Sequence, residues 1–160
     1  MHTRLSRRSA NIPLSLCALF VLVGFTTNAA ADERAAIRTI QSVIDEMCGQ
    51  LALPAQVTAS IVPANDLLVS VVPVTGRAQF VMSFQDSFLD GLDPDELRTI
   101  IAHELGHVWI FTHHPYLQTE RGANDVAMRI VSRENLERVY ARVFANLGVK
   151  GDMARFLPQH

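Results

Sequence analysis

The segment that most constrains the fold is a helix that we predict from Asp93 to about Phe111. Asp93 is a favoured helix N-cap, and Pro94 suits the first helical position, where no backbone N–H is needed. Glu96 stands three residues after the cap, which is the spacing of a capping box. The run Thr112–Pro115 then breaks the helix, so local sequence alone defines both of its ends.

Three segments before that helix have the composition of β-strands. They are rich in valine, isoleucine, serine and phenylalanine, and turn residues separate them at Pro63–Asp66 and Val74–Gly76. We predict strands at Gln56–Val62, Leu67–Pro73 and Arg77–Gln85. Because tight turns join them, the prediction is a three-stranded antiparallel meander.

Three further helices complete a fold that we predict to be α+β. The first is N-terminal, at Asp32–Cys48, and carries its apolar residues on one face. Two others follow the helix that begins at Asp93, at Leu117–Val131 and at Arg133–Leu147. The last is expected to be capped by Ser132 and ended by Gly148.

Residues 1–31 have the pattern of a secretory signal peptide. Three arginines precede a 14-residue apolar run, Ile12–Phe25, and small residues follow it up to Ala31. The run is shorter than the roughly 18 to 20 residues that span a bilayer as a helix. We therefore expect cleavage after Ala31 and no stable membrane span afterwards, with an uncleaved anchor as the alternative. The prediction is a single domain over residues 32–160, in the periplasm or secreted.

The charge balance argues against a nucleic-acid partner. The leader holds three of the 14 basic residues and none of the 16 acidic ones, so the mature chain has 14 − 3 = 11 basic residues and a net charge of −5. A nucleic-acid footprint would instead be basic. Cys48 is the one cysteine after residue 31, so no internal disulfide is expected in the exported domain.

Residues 103–107, His-Glu-Leu-Gly-His, are the segment that indicates a metal-binding site. Side chains four residues apart lie on the same face of a helix, so His103 and His107 present two imidazoles to one point. A tetrahedral zinc ion accepts two ligands at this spacing. Glu104 lies beside His103 and can take a proton from a water bound to the same metal. Zinc lowers the pKa of such a water from 15.7 to about 7. The alternative is an exposed helix that carries two histidines by coincidence.

A catalytic zinc needs a third protein ligand, and two residues are candidates. His113 stands six residues after His107, as in the metzincin pattern. That pattern has a glycine where this chain has Ile110, a β-branched residue that resists positive φ. Glu120 is the better candidate, because the break before it lets the next helix fold back onto the first. Two histidines and Glu120 would make a His₂Glu site.

Part of the chain resembles the active-site segment of the gluzincin metallopeptidases. Phe88–Leu92 followed by Asp95–His107 resembles that of the CAAX prenyl proteases and the bacterial HtpX-type proteases. Glu120–Asn124 stands where that family has a glutamate, two residues, an alanine and an aspartate. Asn124 replaces the aspartate, and in this respect the segment is similar to the ImmA/IrrE-type metallopeptidases. The resemblance extends over about Phe80 to Val131.

The resemblance implies a zinc metallopeptidase with one Zn²⁺ per chain. His103, His107 and Glu120 would bind the metal, and Glu104 would be the general base. In gluzincins the strand before the zinc helix borders the cleft, so the resemblance also implies that Arg77–Gln85 can pair with an extended substrate through an open edge.

The predicted function is hydrolysis of a peptide or protein substrate by a zinc metalloendopeptidase. Because the mature chain has only about 129 residues, an exported, zinc-stabilised binding or regulatory module with little turnover is the alternative. A non-peptidase hydrolase and a protein partner that completes the cleft are further alternatives. The presence of Glu104 favours an enzyme over a structural zinc site, because a structural zinc needs no such carboxylate. Asn124 is placed to hydrogen-bond a metal ligand, whereas His113, His114 and Tyr116 have no assigned role.

Overall fold

The computed structural model describes residues 18–76, 78–151 and 155–157. The chain divides into two compact units, Met1–Ala35 and Ala36–His160. Helix α1, Ala18–Gln50, continues through the predicted cleavage site at Ala31. The remainder of the predicted leader, residues 1–17, lies outside the described residues. Within the described ranges, no helix combines the length and the apolar composition needed to cross a membrane.

The sheet has three strands, namely β1 (Gln56–Val62), β2 (Val69–Thr75) and β3 (Gln79–Gln85). Their order is β1-β3-β2, so β3 is central and pairs in parallel with β1 and antiparallel with β2. The α+β class is confirmed, but the antiparallel meander is wrong, because β1 is parallel to β3. Alternating apolar residues specify which face of a strand is buried and leave its neighbours unspecified.

The connection from β1 to β2 passes over the end of β3 instead of forming a hairpin. The backbone N–H of Gln85 donates to the carbonyl of Leu68 at 2.8 Å. The side-chain amide of Asn65 donates to the hydroxyl of Ser70 at 3.0 Å and to the carbonyl of Ser83 at 3.1 Å. Leu68 has a φ of 65°, which is unusual for a residue other than glycine. These contacts place β2 at the edge of the sheet.

The described residues after the sheet form four helices, α2 (Asp86–Leu89), α3 (Pro94–His113), α4 (Glu120–Ala127) and α5 (Arg133–Leu147). The predicted capping box of α3 is confirmed: the Asp93 carboxylate accepts from the Glu96 N–H at 2.8 Å, and the Glu96 carboxylate accepts from the Asp93 N–H at 3.0 Å. Ser132 caps α5, and Gly148 ends it with a φ of 64°. Helix α4 is shorter than the predicted Leu117–Val131 at both ends: Thr119 is its N-cap and Met128 its C-cap.

The core unites one face of the sheet with α1, α3 and α5. Its largest fully buried side chains include Ile44 and Met47 of α1, Met82 and Phe84 of β3, Ile101 and Leu105 of α3, and Leu136 of α5. Burying an aliphatic or aromatic side chain of this size contributes about 1.5–3 kcal/mol. This packing holds α3 against the sheet, so that its opposite face is left for a site.

Two polar features flank this core. The Glu96 carboxylate, only 2% exposed, accepts a hydrogen bond from the Arg142 guanidinium at 2.8 Å and so ties the start of α3 to α5. Cys48 packs against the core as a partly buried residue. Burial, reinforced by the negative charge of Asp45, raises the pKa of the Cys48 thiol to about 11.

Candidate metal centre

The two histidines of α3 and the first residue of α4 converge on one point. The Nε2 atom of His103 lies 3.2 Å from one carboxylate oxygen of Glu120, and the Nε2 atom of His107 lies 3.5 Å from the other. One ligand atom from each residue lies within 4.8 Å of the other two. Both histidines are partly buried, whereas the Glu120 side chain is 49% exposed. The arrangement leaves the cluster open on one side.

Glu120 reaches this point because α4 packs very closely on α3. A Cβ atom added at Gly106 would overlap the backbone carbonyl oxygen of Ala123 and lie 2.9 Å from its Cα. Glycine at position 106 therefore lets the two helix backbones touch. Thr119 caps α4, which begins directly at Glu120. The fold thus brings a residue 13 positions beyond His107 back to the same face.

Two carboxamides hold the outer nitrogen atoms of the histidine rings. The Nδ1 atom of His103 lies 2.8 Å from Oδ1 of Asn124. The Nδ1 atom of His107 lies 3.2 Å from Oε1 of Gln118, whose amide group also donates to the His107 backbone carbonyl at 3.1 Å. Because an amide oxygen only accepts, each Nδ1 carries a proton, and the neutral form of each ring then has its lone pair on Nε2.

The donor set fits a bound metal ion. The Nε2 atoms of the two imidazoles and the Glu120 carboxylate face one another at 3.2 and 3.5 Å, so one cation placed among them can be bound by all three. Two histidines and one glutamate form a set that zinc accepts in catalytic sites, where a fourth position stays open. The nearby histidines hold the pKa of Glu120 well below its usual value. Glu120 is therefore anionic at neutral pH, which is the form in which a carboxylate can bind a metal ion.

Glu104 extends from α3 toward the edge strand β2. It is partly buried, and the backbone N–H of Val71 faces its carboxylate. Burial raises the pKa of Glu104, although the adjacent histidines oppose this shift. For His107, burial lowers the pKa, but the Glu120 and Glu104 carboxylates raise it overall. A carboxylate with a raised pKa is a stronger proton acceptor than one in water.

A cavity of about 640 Å³ opens beside the cluster and takes in His103, Glu104, His107 and Glu120. Its walls are mostly apolar and come from β2 and α5, including Val71, Val72, Leu136, Val139 and Val143. The strand with an open edge beside the cavity is β2, whereas β3 is paired on both sides. The expectation that Arg77–Gln85 presents the open edge is therefore wrong.

The other candidate residues lie away from the cluster. The His113 ring stacks on Trp109 with centroids 4.2 Å apart, and its Nδ1 donates to the Trp109 carbonyl at 2.8 Å. Among the residues that the structure describes, Glu120 and not His113 is the third member of the cluster with His103 and His107. Tyr116 is 95% exposed, and His114 is exposed near Trp109.

Sequence reasoning missed three residues around the cluster. Gln118 holds His107 from the loop before α4, and Tyr140 of α5 lies edge-on to His103 with ring centroids 5.9 Å apart. Gly106 allows the close contact between α3 and α4. A glycine inside an otherwise strong helix is a usable signal of close backbone approach, whereas nothing local marks Gln118 or Tyr140.

Comparisons with known proteins identify a peptidase family and two structures of similar fold. Residues 38–154 match the model of peptidase family M48. The zymogen of Pyrococcus abyssi abylysin, a metallopeptidase, has a similar fold, with a TM-score of 0.50 and 14% identity over 71% of this chain and 99% of that chain. The zymogen of Methanocaldococcus jannaschii jannalysin, also a metallopeptidase, gives a TM-score of 0.50 and 16% identity over 68% and 96%. No curated protein matches the sequence.

Proposed function

Because the chain belongs to peptidase family M48 and is a metallopeptidase of the gluzincin type, we propose that it is a zinc metalloendopeptidase. His103, His107 and Glu120 would hold one Zn²⁺, and Glu104 would be the general base. The observation that supports this proposal is the convergence of two Nε2 atoms and one carboxylate within 4.8 Å, in the same cavity as Glu104.

The reaction is hydrolysis of a peptide bond by water. When bound, zinc is a Lewis acid that polarises a carbonyl and lowers the pKa of a coordinated water to about 7. Glu104 takes the proton of the attacking water and then delivers it to the leaving amine. Its partly apolar surroundings suit this role, because a raised pKa brings a carboxylate closer to neutral pH. Gln118 and Asn124 keep the two imidazoles oriented throughout.

The substrate would be an extended polypeptide. Strand β2 is at the edge of the sheet, and the Val71 N–H points toward Glu104, so the outer edge of β2 faces the reacting groups. A peptide that pairs with this edge gains main-chain hydrogen bonds with little side-chain selectivity. The apolar wall formed by Leu136, Val139 and Val143 favours an apolar substrate side chain beside the cleaved bond.

The proposal includes export to the periplasm or the medium. It is supported by the basic start, the short apolar run and the small residues that end at Ala31. Sequencing the N-terminus of the protein recovered from fractionated cells and medium tests it. We expect a new N-terminus after Ala31 in an extracytoplasmic fraction, and an intact N-terminus on cytosolic protein would contradict it.

Metal content and peptide cleavage, measured on the same samples, test the catalytic proposal. The wild-type protein, Glu104→Gln and the control Asp125→Asn, an exposed position on α4, are each assayed with a library of quenched-fluorescent peptides. We expect one zinc per chain in all three. Loss of a general base lowers the rate by about 10²- to 10⁴-fold, so Glu104→Gln should lose cleavage while Asp125→Asn retains it.

Three results would contradict the proposal. If Glu104→Gln cleaves peptides at the wild-type rate, Glu104 is not the general base. A wild-type protein that binds zinc and cleaves no peptide in the library supports the binding-module alternative. Full zinc in Glu120→Ala, with loss of zinc in His113→Ala, would mean that the third ligand is His113.

A further inference from the structure

Asn124 is completely buried and uses all of its hydrogen-bonding groups on three different parts of the fold. Its Oδ1 faces Nδ1 of His103 at 2.8 Å. Its amide group donates to the hydroxyl of Tyr140 and to the backbone carbonyl of Phe156, each at 2.8 Å. One side chain on α4 therefore joins α3, α5 and the C-terminal segment Arg155–Leu157.

The Phe156 carbonyl determines which way this amide points. A backbone carbonyl has no proton to donate, so only the NH₂ side of the Asn124 amide can face it. The oxygen must then face His103, whose ring is held with its proton on Nδ1 and its lone pair on Nε2. Without that carbonyl, a rotated amide would turn NH₂ toward His103 and stabilise the tautomer whose Nε2 carries a proton. That tautomer presents no lone pair to a metal.

Tyr140 ties the same network to α5. Its hydroxyl accepts from the Asn124 amide at 2.8 Å, and its ring lies edge-on to His103 with ring centroids 5.9 Å apart. Tyr140 also lines the cavity that His103 and Glu120 share. Asn124 is therefore held by Tyr140 on one side while it contacts His103 on the other.

Apolar packing holds the C-terminal segment in place. The Phe156 ring stacks on that of Tyr140, with centroids 5.5 Å apart and planes 16° from parallel, and it also contacts Phe144. Leu157 is only 1% exposed. The segment is thus anchored on α5 by its side chains, and its main chain supplies the carbonyl that Asn124 requires.

We propose that the C-terminal segment Arg155–Leu157 and the Tyr140 hydroxyl are positioning elements of the metal centre. They lock the Asn124 amide so that the His103 ring is preset for metal before it binds. This inference rests on the proposed metal site. It adds that a segment more than 30 residues beyond Glu120 contributes to the metal affinity.

The test compares two shortened chains and one point variant with the full chain. One chain ends at Ala154 and lacks the segment, and its matched control ends at Leu157. Tyr140→Phe keeps the aromatic ring and removes only the hydroxyl. Zinc affinity is measured by chelator competition, and the protonated ring nitrogen of His103 is identified by ¹⁵N NMR in metal-free protein. Neither measurement depends on activity.

We expect the chain that ends at Leu157 to match the full chain in both measurements. Loss of a partner that orients a metal ligand costs about 10- to 100-fold in affinity, so the chain that ends at Ala154 should bind zinc that much more weakly. Its His103 should lose the pure Nδ1–H form. Tyr140→Phe should bind zinc several-fold more weakly while remaining folded.

Unchanged zinc affinity and an unchanged His103 tautomer in a folded chain that ends at Ala154 would overturn the inference. If that chain does not fold, Tyr140→Phe decides, and wild-type affinity in this variant overturns it. If the full chain binds no zinc at all, the proposed function fails instead. The His103 tautomer in the metal-free variants still decides whether the segment positions the ring.

Discussion

Replacing Gly106 with alanine is the most direct test of how α4 is held at the metal centre. In an ordinary helix interior, alanine is more stable than glycine by about 0.5–1 kcal/mol. Here the new Cβ would overlap the carbonyl oxygen of Ala123 and approach its Cα to 2.9 Å. The obstructing atoms are backbone, so no side-chain rotation relieves the contact, and α4 must move away from α3.

The expected change is a loss of stability despite the better helix propensity. Overpacking costs about 1–3 kcal/mol, and a clash with backbone belongs at the upper end of that range. After the gain in propensity is subtracted, we expect a net loss of about 2 kcal/mol, or about 8 °C in Tm for a domain of this size. Because Asn124 follows Ala123 directly, zinc affinity should also fall by about tenfold or more.

Thermal melts of the metal-free protein and chelator competition for zinc measure the two effects. Gly49→Ala is the matched control, because Gly49 also lies in a helix and a Cβ there meets nothing within 4 Å. It should be neutral or raise Tm slightly. If Gly106→Ala instead raises Tm as this control does and binds zinc normally, the close packing of α3 on α4 is not what positions Glu120.

Three other predictions follow from single contacts. In a Cys17→Ser chain at pH 8, thiol reagents should label native Cys48 about 100-fold more slowly than unfolded Cys48, because the native pKa is about 11 and not 9.0. The raised pKa also means that the free energy of unfolding falls as pH rises from about 9 to 11. Equal labelling rates in the native and unfolded chains would contradict both expectations. Glu96→Ala should lower the free energy of unfolding, measured in urea, by about 3 kcal/mol, because it removes half of a capping box and leaves Arg142 of α5 without its buried partner. A decrease below about 1 kcal/mol would mean that neither contact stabilises the fold. Gln118→Ala should weaken zinc binding by about tenfold with little change in Tm, because Gln118 is exposed and acts on His107 alone; unchanged affinity would show that this amide does not orient the ring.

Much of the fold could be predicted because its signals are local. The capping box at Asp93 and the Ser132 and Gly148 boundaries of α5 each depend on residues within one helical turn. The same is true of the pair His103 and His107, since helical geometry alone places residues four apart on one face. The strand positions followed from composition and turn residues in the same way.

Strand order could not be predicted, because it depends on which surfaces meet. Alternation identified the buried face of each strand, but the parallel pairing of β1 with β3 depends on a connection that crosses the end of β3. The place of β2 at the open edge, beside Glu104, follows from that crossing. The strand assigned to the substrate therefore changed from β3 to β2.

The histidine and glutamate residues between 103 and 107 are a property of the sequence, and so is the helix that holds them in one line. Their surroundings belong to the tertiary structure. Nothing local in the sequence indicates the contacts of Gln118, Tyr140 and Phe156. Each of these contacts joins two residues that are 11 to 37 positions apart in the chain. A helix repeats its geometry every turn, so short-range spacing is enough to align two imidazoles. The orientation of each imidazole depends on atoms that only the folded chain brings within hydrogen-bonding distance.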